Sequence, residues 1–393
     1  DPRIEKATKD IYKAEFHTGI CKEITGNYSG KSVQEVKDII INDFIGKNIA
    51  TKLYEPADEV ICRCGTRNHI KILSEQWFLE YSNPKWKKAV HDQINKMTFF
   101  PPAIKSSFEY TVDWLEDKAC ARKSGLGTPL PWDPDWIVET LSDSTIYMAY
   151  YTISKYVNQG LVKEENATRE FFDYLFRNIG NLDKVAKKSK LSKDLISKMK
   201  EEFDYWYPMD LRISGKDLVH NHLTFCLFHH QAIFPPEKRP RMFGVNGYMQ
   251  FKGQKMSKSK GILTPLSEAV KQYSVDLTRI GLIGAGEGLD DAKFSEEEVF
   301  TYSKWLEQFM NYYEEKMTRE EVKHIDKWIM SRMQSHISSA ISSAEALQTR
   351  SYTQRVLFGI MNDLRHYRRR SSDIGPGFVY ASWSRPVFPW PQP

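Results

Sequence analysis

The chain has 393 residues, 41% apolar and 27% charged, which is ordinary for a soluble protein and long enough for two or three domains with real cores. No apolar run approaches the roughly 18 residues of a membrane span, and no secretory signal is expected. Five scattered cysteines, an odd number, argue against a disulfide framework and for a reducing cytoplasm, while a net charge of +5 is compatible with a nucleic-acid partner without requiring one.

Residues 1–80 read as alternating helix and strand. A helix is expected near Ser32–Asn42, and strands near Ala50–Tyr54, Glu59–Arg63 and Asn68–Leu73. Cys62 and Cys64, with Cys21 and His69, raise the question of zinc. No second closely spaced cysteine pair completes such a site, and the alternation of Val60, Cys62 and Cys64 fits one face of a strand. No metal site and no structural zinc are expected.

Residues 81–290 carry the chemistry. Glu139–Tyr151 is dense in hydroxyls and aromatics around one carboxylate, a composition that suits either a pocket for a small apolar ligand or a buried helix start, with Tyr147 and Tyr151 as an i, i+4 pair. Lys163–Asp204 is lysine- and glutamate-rich, helical in pattern and free of chemical motifs, as a peripheral insertion would be. Asp210–Leu218 reads as a short strand entering a glycine turn, and a helix should follow through Leu223, Phe225, Leu227 and Phe228 to end near Pro235. A strand, a glycine turn and a helix start make an anion- and ribose-binding corner in open α/β sheets. At that corner Asp217 is placed either to accept hydrogen bonds from a ribose or to cap a helix. His222 is either a core histidine or part of a site.

The most informative string is Lys255-Met256-Ser257-Lys258-Ser259-Lys260-Gly261. Gly253 and Gly261 flank it, leaving the backbone free to hinge. Lys255 and Lys258 are mobile point charges suited to a triphosphate, and Ser257 and Ser259 are hydroxyl partners.

From Phe294 onward the pattern is helical. Ser295 with Glu298 forms a capping box and Phe294 with Val299 a staple, and Thr318 with Glu321 repeats the device. Ile325, Trp328, Ile329, Met333, Ile337 and Ile341 then mark one stripe of a bundle helix. Arg365, Arg368, Arg369 and Arg370 suit RNA phosphates, or simply a solvated basic helix end. Ser371–Pro393 reads as an irregular Pro/Trp-rich tail, because proline at that density opposes helix and central strand alike.

Taken together, Ser142–Thr152, Leu211–His222 and Gly253–Gly261 resemble, in order and spacing, the leucyl-tRNA synthetases of archaeal and eukaryotic cytosolic type, within the class I aminoacyl-tRNA synthetases. Cys62–Thr66 with Gln76–Phe78 resembles the stretch where that family's inserted editing domain returns to its catalytic core. The segment from Asp113 through Ala121 to Pro129 resembles the core that follows, and the likeness covers roughly residues 1–370.

The resemblance implies an α/β fold. Residues 1–80 would be an editing-domain remnant, 81–290 the second half of a Rossmann-like catalytic domain with its helical insertion at about 163–204, 291–370 an anticodon-binding helical bundle, and 371–393 the tail. It implies a cytoplasmic leucine–tRNA ligase using ATP and Mg²⁺, with leucine and tRNA-Leu as partners. Lys255 and Lys258 would be catalytic. Gly215, Asp217, His222, Asn246, Gly247, Met256, Ser257 and Ser259 would bind ATP, Ser144 and Tyr147 would bind leucine, and the four arginines would bind tRNA.

The family's first signature, His-x-Gly-His, is absent from these residues. The chain is therefore expected to be the C-terminal portion of a larger enzyme, inactive alone and completed by a separate N-terminal half if the enzyme is split. Two alternatives remain open: a valyl- or isoleucyl-tRNA synthetase fragment, and a non-catalytic tRNA-binding subunit.

Overall fold

The computed structural model describes residues 2–62, 64–73, 75–251, 254–255 and 265–383. The chain divides into two compact units, Asp1–Ser74 and Glu75–Pro393.

In the first unit, helices span Pro2–Tyr12 and Val33–Gly46, and the second opens where Ser32 accepts a hydrogen bond from the Glu35 N–H at 3.2 Å. The three strands expected between Ala50 and Leu73 do not form. Among the described residues that stretch holds one isolated bridge, Ile61 to Arg67, around a turn. Alternating apolar residues make a strand only where a partner strand accepts their backbone groups. Here Leu53 and Ile72 stay 81% and 73% exposed, so no buried face rewards pairing.

The second unit is built around three parallel strands, with Met242–Asn246 between Thr98–Phe100 and Leu211–Gly215. Parallel neighbours need a crossover, and Thr224–Ile233 supplies it between Leu211–Gly215 and Met242–Asn246. The central strand is apolar, with Phe243, Gly244 and Val245 buried, as expected for a strand covered on both faces. Phe99, Phe108, Phe225, Phe228 and Tyr81 fill the core around it, and Tyr81 stacks on Phe225 at 5.0 Å. Arg169–Arg177, Leu182–Ser189 and Lys193–Trp206 pack on one another through Phe171, Leu175, Val185, Ile196 and Met199.

After Met249–Phe251 and its parallel neighbour Ala292–Phe294, the chain becomes helical: Glu296–Glu314, His324–Glu345, Ile360–Arg370 and Pro376–Trp383. Ser295 accepts from the Glu298 N–H at 3.4 Å, which realises one half of the expected cap. The second cap does not form at Thr318. The next helix begins at His324, where the Asp326 carboxylate accepts from the Lys323 N–H at 2.9 Å, and Thr318 instead accepts from the Ile374 N–H at 2.8 Å. Of the expected stripe, Ile329 and Met333 are fully buried, but Ile341 is 54% exposed and Ala340 takes the inward position. The expectation of an irregular tail is corrected for residues 376–383, which are helical. Pro376 sits in the first turn, where no N–H is needed, and Phe378 and Ala381 lie in the bundle core.

Candidate functional site

The parallel sheet presents its carboxyl edge at Phe100, Gly215 and Asn246, with Gly215 in register with Asn246. Ligands of open α/β sheets bind outside this edge.

At Gly215 the strand turns directly into Lys216–Leu218, and a Cβ on Gly215 would lie 2.6 Å from Asp217 Oδ1. Glycine is therefore what lets the Asp217 carboxylate fold back over the strand end, where it is exposed and takes no hydrogen bond among the described residues. Lys216 turns to the neighbouring Tyr248 and Asp291. Its ammonium pairs with Asp291 at 2.6 Å and lies 5.0 Å above the Tyr248 ring. The Asp291 carboxyl is held below the usual range, first by Lys216 and then by the Tyr248 N–H at 2.9 Å.

Asn246 is exposed, and its amide closes onto the Gly247 carbonyl at 2.8 Å. Gly247 is buried and donates to the Gly288 carbonyl at 3.0 Å. A Cβ there would meet the Asp290 carbonyl at 2.0 Å, so only glycine permits this backbone approach.

From Gly247 the chain enters a hairpin, with Met249–Phe251 pairing antiparallel with Gln254–Lys255. The backbone of Lys255 thus leaves from the sheet's carboxyl edge. Met256, Ser257, Lys258 and Ser259 lie outside the described residues, as does the Lys255 side chain.

Upstream in the chain, Tyr147–Tyr151 forms a short helix. Tyr147 and Tyr151 meet edge to face at 5.0 Å and are 38% and 65% exposed, so they form a surface pair rather than a buried helix start. His222 is buried 3.3 Å from Ser144 Oγ through Nδ1, and on its other side it accepts a hydrogen bond from Arg212. Burial, and then the Arg212 charge, push its pKa below the ordinary histidine value. The Arg212 guanidinium also lies 5.5 Å over the Tyr147 ring.

Ser144, Tyr147 and His222 are therefore brought together, and Arg212 joins them. The sequence reading passed over Arg212. Its one signal was a charged residue between Leu211 and Ile213 in a short apolar strand.

Two further histidines lie behind. His229 bridges Tyr81 at 2.9 Å and Thr145 at 2.5 Å, and His230 meets Tyr207 at 2.7 Å. Burial lowers their pKa values to about 4 and about 3. Both stay neutral in the fold while the unfolded chain takes up protons below about pH 6.5. Their contribution to stability is complete above that pH. As pH falls from there through their folded values it is lost, at up to about 1.4 kcal/mol per pH unit for each histidine. Urea midpoints should therefore drop between pH 7.5 and 5.5, and His230→Gln should flatten the slope. An unchanged slope in the variant would contradict this.

In the helical part, Arg365 lies 4.0 Å over Trp305 and donates to Gln308 at 3.0 Å, while Arg368 reaches Glu315 at 3.7 Å and the Ser372 carbonyl at 3.1 Å. Arg369 and Arg370 are exposed, with Arg370 against His366 at 3.1 Å. Far along the first unit, Cys62 and Cys64 are exposed on a turn, and hydrogen bonding from Thr66 lowers the Cys64 thiol to about 7.

A family model described as tRNA synthetases class I (M) matches residues 9–313. The leucine–tRNA ligase of Archaeoglobus fulgidus is 47% identical over 94% of this chain and 40% of its own length. That of Methanosarcina barkeri is 42% identical over 99% and 41%, and that of Pyrococcus horikoshii 44% identical over 94% and 39%. The chain thus spans about two-fifths of these curated relatives. A solved Mycobacterium tuberculosis methionyl-tRNA synthetase in complex with methionyl-adenylate shares the fold, with TM-score 0.51 and 16% identity over 75% of this chain and 52% of that one. Because the family match runs through the parallel sheet, its carboxyl edge and the first long helix of the bundle, the chain belongs to the class I tRNA synthetases.

Proposed function

We propose that this chain carries part of the catalytic site of a cytoplasmic leucine–tRNA ligase. The observation that carries the reading is the convergence of Ser144, Tyr147 and His222 around Arg212, on the strand that ends at Gly215 and leads into Asp217. The leucine–tRNA ligase relatives, similar over nearly all of this chain, favour leucine over valine or isoleucine and an enzyme over a non-catalytic RNA-binding subunit.

In this reading the leucine carboxylate attacks the α-phosphate of MgATP in line and pyrophosphate leaves. The aminoacyl group then passes to the terminal adenosine of tRNA-Leu. Such transfers depend mainly on positioning and charge stabilisation. Asp217 accepts from the ribose hydroxyls, and Gly215, His222, Asn246 and Gly247 line the nucleoside. Ser144 and Tyr147 hold leucine. Lys258, supported by Lys255, Met256, Ser257 and Ser259, neutralises the phosphate and the departing pyrophosphate.

Magnesium enters as part of the substrate. Among the described residues no three His, Cys, Asp or Glu side chains gather to hold a resident ion. Arg365, Arg368, Arg369 and Arg370 face tRNA, with Arg369 and Arg370 the more open pair. Residues 1–80 are assigned to the end of an editing insertion, 81–290 to the catalytic half with its 163–204 insertion, and 291–370 to the anticodon-binding bundle. The rest of the site comes from the part of the enzyme this chain does not span, whether joined to it or a separate half.

The test is ribose-specific. Asp217→Ala should weaken ATP binding about 10- to 100-fold, the range for hydrogen bonds to a charged group. Binding of 2′,3′-dideoxy-ATP should already be weak and should not fall further in the variant. Equal losses for both nucleotides would remove Asp217 from the ribose site.

A further inference from the structure

Arg212 is an unusual strand residue because it carries a charge inward with no acid to meet it. Among the described residues its polar contacts are the His222 ring at Nε2, the Cys226 sulfur at 3.7 Å and the face of Tyr147. None of the three is a carboxylate. Asp210, two residues earlier, pairs with Arg241 instead.

A guanidinium has N–H donors and no acceptor. The ring nitrogen it caps must therefore present a lone pair, and the single imidazole proton must sit on Nδ1. That nitrogen faces Ser144 Oγ at 3.3 Å, and the Leu141 carbonyl is a second acceptor for the ring. With no carboxylate to cancel it, the guanidinium field also opposes a second proton on the ring.

The four residues come from different segments. Ser144 follows the short helix Thr140–Asp143 and Tyr147 begins the next one, Arg212 lies in the strand, and His222 lies in the turn Val219–Leu223 that leads into the crossover helix. Arg212 is the group that touches both Tyr147 and His222.

We propose that Arg212 is a positioning residue of this site: it holds His222 as the neutral Nδ1–H tautomer, aims that proton at Ser144 Oγ, and fixes Tyr147 by stacking on its ring. The description of the site as a leucine pocket rests on the function proposed above; the tautomer device does not. Lysine at position 212 would keep the charge but lose the planar surface that stacks on Tyr147 while donating to His222.

The test uses this chain with ¹⁵N-labelled histidine, with the His222 signals identified by their loss in His222→Gln. The expected spectrum shows a protonated Nδ1 and a bare Nε2. Arg212→Met should move His222 toward the Nε2–H form that free imidazole prefers. Arg212→Gln, which still offers an N–H to Nε2, should keep the Nδ1–H form and serves as the folded control. If Arg212→Met retains the Nδ1–H signature, or if unsubstituted His222 is protonated on Nε2, the proposal is overturned.

A second arm adds a leucyl-sulfamoyl-adenosine probe to the unsubstituted chain completed with the remaining portion of a leucine–tRNA ligase, which should shift the His222 signals and leave those of His336, buried in the bundle, in place. Should the tautomer respond to Arg212 as expected while the probe moves nothing, the leucine reading fails and the positioning role stands. Should the probe bind while Arg212→Met leaves the tautomer alone, the reverse holds.

Discussion

Replacing Asp326 by alanine is expected to remove about 3–5 kcal/mol from the helical part, the cost of breaking a buried pair and orphaning its partner. Asp326 is fully buried. Its carboxylate accepts from Tyr367 Oη at 2.7 Å, Arg319 at 2.8 Å, the Lys323 N–H at 2.9 Å and the Gly377 N–H at 3.0 Å. It therefore starts one helix, anchors the guanidinium of the preceding loop and holds the beginning of the last helix.

Burial alone would raise its pKa. The hydrogen bonds from Tyr367, Lys323, Arg319 and Gly377 outweigh that and leave it below the ordinary aspartate value. A lowered carboxylate stabilises above its unfolded pKa, near 4, and that stability is lost as pH falls through the folded value. Guanidinium unfolding followed by tryptophan fluorescence at pH 7 should show the full loss in Asp326→Ala. The difference between variant and parent should shrink below about pH 4. A loss under about 1 kcal/mol at pH 7 would mean that the carboxylate does not hold these segments together.

The second large effect belongs to Lys258. In an enzyme completed with the remaining portion of a leucine–tRNA ligase, Lys258→Ala should slow leucine-dependent pyrophosphate exchange by about 30- to 1000-fold. That is about 2–4 kcal/mol, by analogy with loss of one preorganised donor to the developing charge. The reason is placement: the hairpin that starts the lysine string leaves the sheet directly after Asn246 and Gly247, at the carboxyl edge. Lys255→Ala should cost less. A variant at position 258 with the parental exchange rate would take this lysine out of the mechanism.

Features that depend on neighbours in sequence were readable before any coordinates. The helix opening at Ser32, the cap at Ser295 and the strand, glycine turn and crossover helix from Leu211 to Ile233 each follow from local period and capping chemistry. The errors share one cause, which is tertiary competition. Thr318 had the right spacing for a cap but is taken by the Ile374 backbone, while Asp326 caps the helix instead. The segment between Ala50 and Leu73 alternates like a strand yet finds no partner, and period alone cannot supply one. Pro376 ends up in a first helical turn, where proline costs nothing, although the proline density of the whole segment argued against helix.

The candidate site divides in the same way. Gly215, Asp217 and Gly247 sit at strand ends, where the motif places them. The role of Arg212 became visible only when residues 144, 147 and 222 were folded around it. A half-buried charge in a short strand is a weak signal until its contacts are known.

The central claim is that the carboxyl edge between Gly215 and Asn246 activates leucine. ATP–pyrophosphate exchange by the completed enzyme, measured in parallel with leucine, isoleucine and valine, tests it most directly. The account predicts exchange that depends on leucine and falls sharply with Asp217→Ala. Exchange driven equally well by valine or isoleucine, or untouched by that substitution, would contradict it.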